Sequence, residues 1–157
     1  MSSLCSTKHN HCNQPRGAAN AALFFETISD EIPMNYLLVF AGGGLGATLR
    51  HTINVFSSRT LGVAFPYSTF FINVTGSLVM GLIAGYLAFK GEASQPWRLF
   101  LMTGVLGGYT TFSAFSLDTI MLYERGELAL ASLYVVGSVL LAIAGLVAGL
   151  ALMRHFA

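Results

Sequence analysis

The chain has 157 residues, of which 54% are hydrophobic and 10% are charged, and its formal net charge is +1. This composition, with a mean hydropathy of +0.66, lies outside the range of soluble domains and predicts a membrane protein. The eight Lys and Arg residues are spread along the chain and form no basic patch, so nucleic acid is not an expected partner.

Residues 1–33 form a polar N-terminal segment that we predict to be a disordered tail. Its apolar stretch, residues 21–25, is too short for a signal-peptide core and lacks a basic region directly before it. Both cysteines of the chain, Cys5 and Cys12, lie in this segment, so disulfides are not expected in the hydrophobic body. Met34 directly precedes the first long apolar run, and our hypothesis is that translation begins there.

Four hydrophobic segments follow, and each is long enough for the ~20 residues that cross a hydrocarbon core of ~30 Å. They are residues 34–56, 67–89, 97–122 and 128–153. Short links with helix-ending residues separate them, so consecutive helices should be antiparallel neighbours. The predicted fold is an all-α membrane protein with four transmembrane helices.

Small residues recur in these segments at the spacing that lets helix backbones approach closely in lipid. The pairs are Gly42 with Gly46, Gly81 with Gly85, and Gly145 with Gly149. Basic residues are balanced if the helices alternate: Lys90, Arg98 and Arg154 fall on one side, and Arg50, Arg59 and Arg125 on the other. The positive-inside rule then gives almost no bias, which favours an antiparallel homodimer. Alternatively, the basic residues of the N-terminal segment set a single topology.

The second helix carries Thr69, Asn73 and Ser77 on one stripe, because they are spaced four residues apart. The Asn73 amide donates two protons without carrying a charge, so it can bind an anion weakly. It can equally form a hydrogen bond to a neighbouring helix. On the fourth helix, Tyr134 and Ser138 form a similar hydroxyl pair, with the same two interpretations.

The third helix contains GGYTTFSAF, residues 107–115. We predict that Gly107 and Gly108 break the helix, since backbone groups left unpaired in a membrane must line a cavity or an ion site. Exposed carbonyls would suit a small hard cation such as sodium. Phe112 and Phe115 share a face, and their electropositive ring edges favour an anion. Aromatic side chains at this spacing can also serve packing alone.

Three stretches, GGGLGATLRH (42–51), STFFINVTGS (68–77) and GVLGGYTTFSAF (104–115), resemble the Fluc/CrcB fluoride ion channels. The resemblance covers residues 34–157, which would form the channel domain. It implies a dual-topology antiparallel homodimer in the cell (inner) membrane, with two fluoride pores and no other protein partner. Fluoride would leave the cytoplasm passively.

The resemblance also implies roles for individual residues. A central structural sodium ion would be held by the backbone carbonyls of Gly107 and Thr110 from both subunits. The fluoride pore would be lined by Asn73, Phe112, Phe115, Thr69, Ser113, Tyr134 and Ser138, with Arg50 in the vestibule. The chain departs from the family pattern at Ser68, Tyr109 and Ala114, and Ala114 removes one hydroxyl contact.

Two other functions remain as alternatives. A small dual-topology proton-coupled multidrug exporter would need an intramembrane carboxylate, and Asp118 is the candidate. A structural subunit of a larger complex would explain the small residues but not the phenylalanine pair. No hydrolase motif, P-loop or carboxylate pair is present in the sequence, so an enzyme is not expected.

Overall fold

The structure is a computed structural model that describes residues 16–89 and 95–156, with side chains described for residues 34–88 and 95–156. Its contacts divide the chain into two units, Met1–Met34 and Asn35–Ala157. Residues 1–15 of the predicted tail lie outside the described residues. Residues 16–33 are helical, which differs from the predicted disorder, and their alanine-rich sequence favours a helix. The start at Met34 stays a prediction.

All regular secondary structure in the described residues is helical. In chain order the elements are α1 (Arg16–Thr60), α2 (Tyr67–Phe89), α3 (Gln95–Arg98), a π-helix (Leu99–Leu106), α4 (Gly107–Tyr109), α5 (Phe112–Glu124) and α6 (Leu128–His155). The second and fourth predicted segments thus appear as single helices, whereas the third is divided into pieces. Turns at Gly62 (φ 77°) and Gly126 (φ 79°) join α1 to α2 and α5 to α6, in a conformation that favours glycine.

The outer surfaces of these helices are apolar. Within the described residues, Tyr67–Ala88 and Leu128–His155 are long and apolar enough to cross a membrane. On α6, Leu133, Leu140 and Ile143 are exposed to 65%, 62% and 58%. Such a surface requires lipid or another chain to cover it, so the protein is a membrane protein. The four-span topology itself stays a prediction.

The predicted glycine packing is confirmed at the helix contacts. A Cβ atom built on Gly42 of α1 would lie 2.6 Å from the Phe100 carbonyl oxygen in the π-helix. Between α2 and α6, a Cβ on Gly149 would lie 2.7 Å from the Leu82 amide nitrogen. These distances are too short for any side chain, so the glycines allow the helix backbones to touch.

Two buried apolar clusters stabilise the described unit on either side of the interruption in the third segment. The first joins α2, the π-helix and α4 through Ile72, Leu106 and Tyr109. The second joins α5 and α6 through Leu122, Ala131 and Tyr134, with Phe65, Phe70 and Phe115 packed against it. Residues 110 and 111 therefore connect two packed regions, which fixes both ends of the interruption.

Candidate functional site

The third segment is interrupted at Thr110 and Thr111, not at the glycines. Thr110 has φ −76° and ψ 156°, and Thr111 has φ −152° and ψ 116°, so both are extended. Gly107 and Gly108 are helical. The prediction that the two glycines break the helix is therefore wrong in position, although the interruption exists two residues later. Threonine is β-branched, and β-branched residues fit an extended backbone better than they fit a helix.

Gly104 and Gly108 of this segment serve close packing against α1. A Cβ atom on Gly104 would lie 2.9 Å from the Gly42 Cα atom, and a Cβ on Gly108 would collide with the Gly43 carbonyl oxygen. On the opposite helix, a Cβ on Gly46 would lie 2.8 Å from the Tyr109 amide nitrogen. Absence of a side chain, rather than backbone freedom, is what the packing requires here.

Asn73 holds the interruption through two hydrogen bonds to one residue. Its Nδ2 donates to the Thr111 carbonyl oxygen at 3.0 Å, and the Thr111 amide donates to Asn73 Oδ1 at 2.9 Å. The Thr111 hydroxyl accepts from the Ala114 amide at 3.2 Å and so caps α5. The interhelical role considered for Asn73 is thus confirmed, and one of its two amide protons is committed to it.

These bonds divert two amide donors from the helix ladder. In a continuous α-helix the Gly107 carbonyl would accept from the Thr111 amide, and the Thr110 carbonyl from the Ala114 amide. The first of these amides donates to Asn73 and the second to the Thr111 hydroxyl. Gly107 and Thr110 are the two residues whose carbonyls the resemblance assigns to sodium. No group of three His, Cys, Asp or Glu side chains suited to a metal occurs in the described part of the chain.

Tyr109 anchors the other side of the interruption. Its hydroxyl lies 3.0 Å from the Thr75 hydroxyl on α2, and its ring is 7% exposed. A Cβ atom on Gly76 would lie 3.2 Å from this ring, so α2 and the tyrosine are in direct contact. Tyr109, the larger residue that departs from the family pattern, is therefore accommodated by its hydrogen bond to Thr75 and by the absence of a side chain at Gly76.

A groove of about 360 Å³ runs beside the interruption, between α2, α5 and α6. Its lining consists of Asn73, Gly76, Ser77, Met80, Thr110, Thr111, Phe112, Phe115, Ser138, Val139, Ala142 and Leu146. The lining contains no charged side chain. The Ser138 hydroxyl is buried and has no hydrogen-bond partner among the described residues. We call this space the neutral groove.

Three aromatic rings form a row from Phe112 and Phe115, which line the neutral groove, to Tyr134 on α6. The ring centroids of Phe112 and Phe115 are 5.5 Å apart, and those of Phe115 and Tyr134 are 5.3 Å apart. Phe112 is 78% exposed, whereas Tyr134 is 1% exposed. The Tyr134 hydroxyl donates to Asp118 Oδ2 at 3.3 Å. Tyr134 thus connects Phe115, which lines the groove, to the Asp118 carboxylate.

A second cavity, of about 220 Å³, lies beside Asp118, the hydrogen-bond partner of Tyr134. It is lined by Ser57, Ser58, Gly62, Val63, Phe65, Pro66, Tyr67, Ser68, Thr69, Asp118, Met121, Leu122 and Arg125. Because it contains both Asp118 and Arg125, we call it the charged cavity. Thr69 is 6% exposed and lines this cavity, whereas Asn73 and Ser138 line the neutral groove. The predicted pore residues are therefore divided between two spaces.

Three predicted pore residues, Arg50, Ser113 and Tyr134, line neither space. Ser113 is exposed, and its hydroxyl lies 3.3 Å from that of Thr111. Conversely, the bond between Asp118 and Tyr134 was not predicted. Each of these two residues lies eight positions from the turn at Gly126, so the register of the helical hairpin would have paired them.

Comparison with known proteins identifies the family. A family model described as "CrcB-like protein, Camphor Resistance (CrcB)" matches residues 37–150. The chain belongs to the CrcB family.

Relatives named "Fluoride-specific ion channel FluC" are similar over nearly their whole length. One CrcB-family relative, "Fluoride-specific ion channel FluC 2" of Nitrobacter hamburgensis, is 73% identical over 122 residues, which cover 78% of this chain and 98% of the relative. "Fluoride-specific ion channel FluC" of Rhodopseudomonas palustris strain BisB5 is 76% identical over 121 residues, covering 77% and 98%. The relative of the same name from Methylobacterium nodulans is 54% identical over 123 residues, covering 78% and 98%.

Proposed function

We propose that this protein is a fluoride-selective ion channel that lets fluoride leave the cytoplasm passively. The carrying observation is the neutral groove, where the paired rings of Phe112 and Phe115 lie beside the Asn73 amide and the unpartnered Ser138 hydroxyl. Fluoride holds its hydration water tightly, so a pore must replace that water with neutral donors that still release the ion. The names of the relatives support the same ion.

In this proposal the groove offers fluoride several weak sites in sequence. The second amide proton of Asn73 and the Ser138 hydroxyl donate hydrogen bonds. Ring edges of Phe112 and Phe115 supply the electropositive contacts. Ser113 lies next to the groove, and Tyr134 and Thr69 extend the hydroxyl row toward the charged cavity. No covalent step and no turnover are involved, so the ion moves down its own gradient.

Arg50 has a separate role in the proposal. Because it lines neither the groove nor the charged cavity, it would act at a distance, as a vestibule cation that raises the local fluoride concentration. This contribution should weaken as ionic strength rises.

The functional unit in this proposal is an antiparallel, dual-topology homodimer that spans the cell's inner membrane several times. The exposed apolar faces of α2 and α6 support a surface covered by lipid or a second copy. A structural sodium ion would be held by the carbonyls of Gly107 and Thr110 from both subunits. The diverted amide donors support this site, because they leave oxygen ligands of the kind that sodium takes.

The exporter alternative has less support. It requires a carboxylate that exchanges a proton for substrate, and Asp118 instead accepts a hydrogen bond from Tyr134 beside a cavity that also contains Arg125. The relatives are named as ion channels, not as exporters.

Ion efflux from liposomes tests the proposal. Purified protein is reconstituted into vesicles loaded with potassium fluoride or potassium chloride, and valinomycin is added to balance charge. We expect rapid fluoride release at the electrode and chloride release no faster than from empty vesicles. Equal release of both ions, or no release from protein that elutes as a single folded species, would overturn the proposal.

A further inference from the structure

The link between α1 and α2, residues 61–66, is tied to the C-terminal end of α5 by one side chain, that of Arg125. Arg125 Nη2 donates to the Ala64 carbonyl oxygen in this link. The same nitrogen donates to Glu127 Oε2 at 3.0 Å. Both side chains of the ion pair are 39% exposed, so the pair itself contributes little. The bond that matters for the link is therefore the one to the backbone of Ala64.

The residue after Ala64 places an aromatic ring against Tyr134. Phe65 and Tyr134 meet edge to face, with ring centroids 5.6 Å apart and an interplanar angle of 89°. Phe65 also lies 4.8 Å from the Tyr67 ring, at the start of α2. Edge-to-face contacts fix ring orientation, because the positive edge of one ring meets the negative face of the other. The orientation of Tyr134 thus depends on where the link is held.

Tyr134 contacts residues that line each of the two spaces: Phe115 in the neutral groove, and Phe65 and Asp118 in the charged cavity. Its ring contacts Phe115 and its hydroxyl donates to Asp118. A small change in the χ1 angle of Tyr134 would move the hydroxyl away from Asp118 and disturb the contact with Phe115. Phe65 lines the charged cavity together with Arg125, so the link also closes that cavity at one side.

We propose that Arg125, Ala64 and Phe65 form a latch that positions Tyr134 for ion passage. Arg125 and Phe65 are positioning residues: neither needs to touch the ion. The proposal rests on the proposed channel function for its transport consequence. Its structural part, that Arg125 holds residues 61–66, stands independently of which ion passes.

Hydrogen exchange tests the structural part without any transport assay. The full chain is reconstituted in nanodiscs, and exchange of the peptide that contains residues 61–66 is followed by mass spectrometry. Arg125→Gln should exchange this peptide about tenfold faster, because the hydrogen bond to the Ala64 carbonyl is lost. The matched control, Glu127→Gln, keeps that bond and should exchange as the wild type does. Equal exchange in all three proteins would overturn the latch.

Fluoride efflux from liposomes tests the positioning part. Arg125→Gln and Phe65→Leu should each lower flux about three- to tenfold and raise the half-saturating fluoride concentration, while Glu127→Gln should do neither. Arg125→Lys should recover part of the loss, since an ammonium can still donate to the Ala64 carbonyl. Flux of Arg125→Gln equal to wild type would overturn the positioning role.

Combining variants separates positioning from a general loss of structure. If Arg125 acts through Phe65, the double variant should resemble the more impaired single variant, whereas independent effects would multiply. In a Tyr134→Leu background, which removes the ring that Phe65 contacts, Arg125→Gln should have no further effect on flux. A multiplied loss in either combination would contradict the latch. Wild-type protein that releases no fluoride would instead refute the channel proposal and leave the exchange result to judge the latch.

Discussion

The neutral groove and the charged cavity each include residues that contact Tyr134, and they differ in what they offer an ion. The groove presents an amide, a hydroxyl and two phenyl rings, without a charged side chain in its lining. The cavity contains Asp118 and Arg125 among several hydroxyls. A fixed charge holds an ion strongly, whereas neutral donors hold it weakly enough to release it. In the proposed channel, ion dehydration would therefore occur in the groove, and Asp118 and Arg125 would have structural roles.

Asn73→Asp should have the largest effect, because it places a negative charge in the neutral groove. Like charges about 4 Å apart repel by about 4 kcal/mol at an effective dielectric constant of about 20. We expect fluoride efflux to fall about a hundredfold or more. The matched variant Asp118→Asn removes a charge from the lining of the charged cavity and should reduce flux far less. If the two variants were equally impaired, the contrast between the two spaces would fail.

The same substitution has a structural effect that must be measured separately. Asn73→Asp replaces the donor to the Thr111 carbonyl with an acceptor, so the protein should also unfold at a lower temperature. Asn73→Ser removes both bonds without adding charge. Flux that is lost in Asn73→Asp but retained in Asn73→Ser would isolate the electrostatic effect.

Phe115→Ile should follow in size, since this ring contacts both Phe112 and Tyr134. Isoleucine keeps the site apolar but removes the electropositive ring edge, and we expect at least about a tenfold loss of fluoride efflux. Phe112→Ile should also lower flux strongly. Both variants should elute like wild type in size-exclusion chromatography. Normal efflux from both single variants would contradict the role of the rings.

Ser138→Ala should have a smaller effect. The hydroxyl has no hydrogen-bond partner among the described residues. Its removal therefore leaves no described protein group unpaired and affects only a passing ion or water. We expect flux to fall less than about tenfold, with thermal stability unchanged or higher. Ser132→Ala, on an exposed part of α6, is the control. A marked loss of stability in Ser138→Ala would indicate a structural role instead.

Tyr109→Phe should have the smallest effect on flux. It removes the hydrogen bond to Thr75 but keeps the buried ring, so stability should fall by about 1 kcal/mol. Efflux should stay near wild type, because this residue lies outside both spaces. Loss of flux with unchanged stability would place Tyr109 nearer to the ion path than the structure does.

The sequence alone predicts much of the helical framework, because helices in a membrane leave strong signals. The bounds of α2 and the start of α6 match their predictions, and the glycine pairs lie at real helix contacts. Local propensity misplaced the interruption, since glycine both weakens helices and permits close packing. Only the neighbouring helix, with Gly42 and Gly43 opposite, decides between these two effects.

The site residues were harder to group than to list. Sequence spacing predicts several pore residues one by one but does not show that they lie together. In the structure, one groove is lined by Asn73, Phe112, Phe115 and Ser138. Thr69, which the sequence groups with Asn73, lines the charged cavity instead of the groove. Helical spacing along α2 does not predict this difference. Bonds between distant segments, such as Arg125 to Ala64, depend on loop conformation and have no sequence pattern that predicts them.

Chemical modification of the neutral groove is the most direct test of the central claim that this groove carries the ion. Cys5 and Cys12 are replaced by serine, Ser138→Cys is introduced, and fluoride efflux is measured before and after a small methanethiosulfonate reagent. The account predicts that the reagent reacts and stops efflux in Ser138→Cys, while the cysteine-free parent conducts unchanged. Efflux that continues after complete modification, confirmed by mass, would contradict an ion path through the groove.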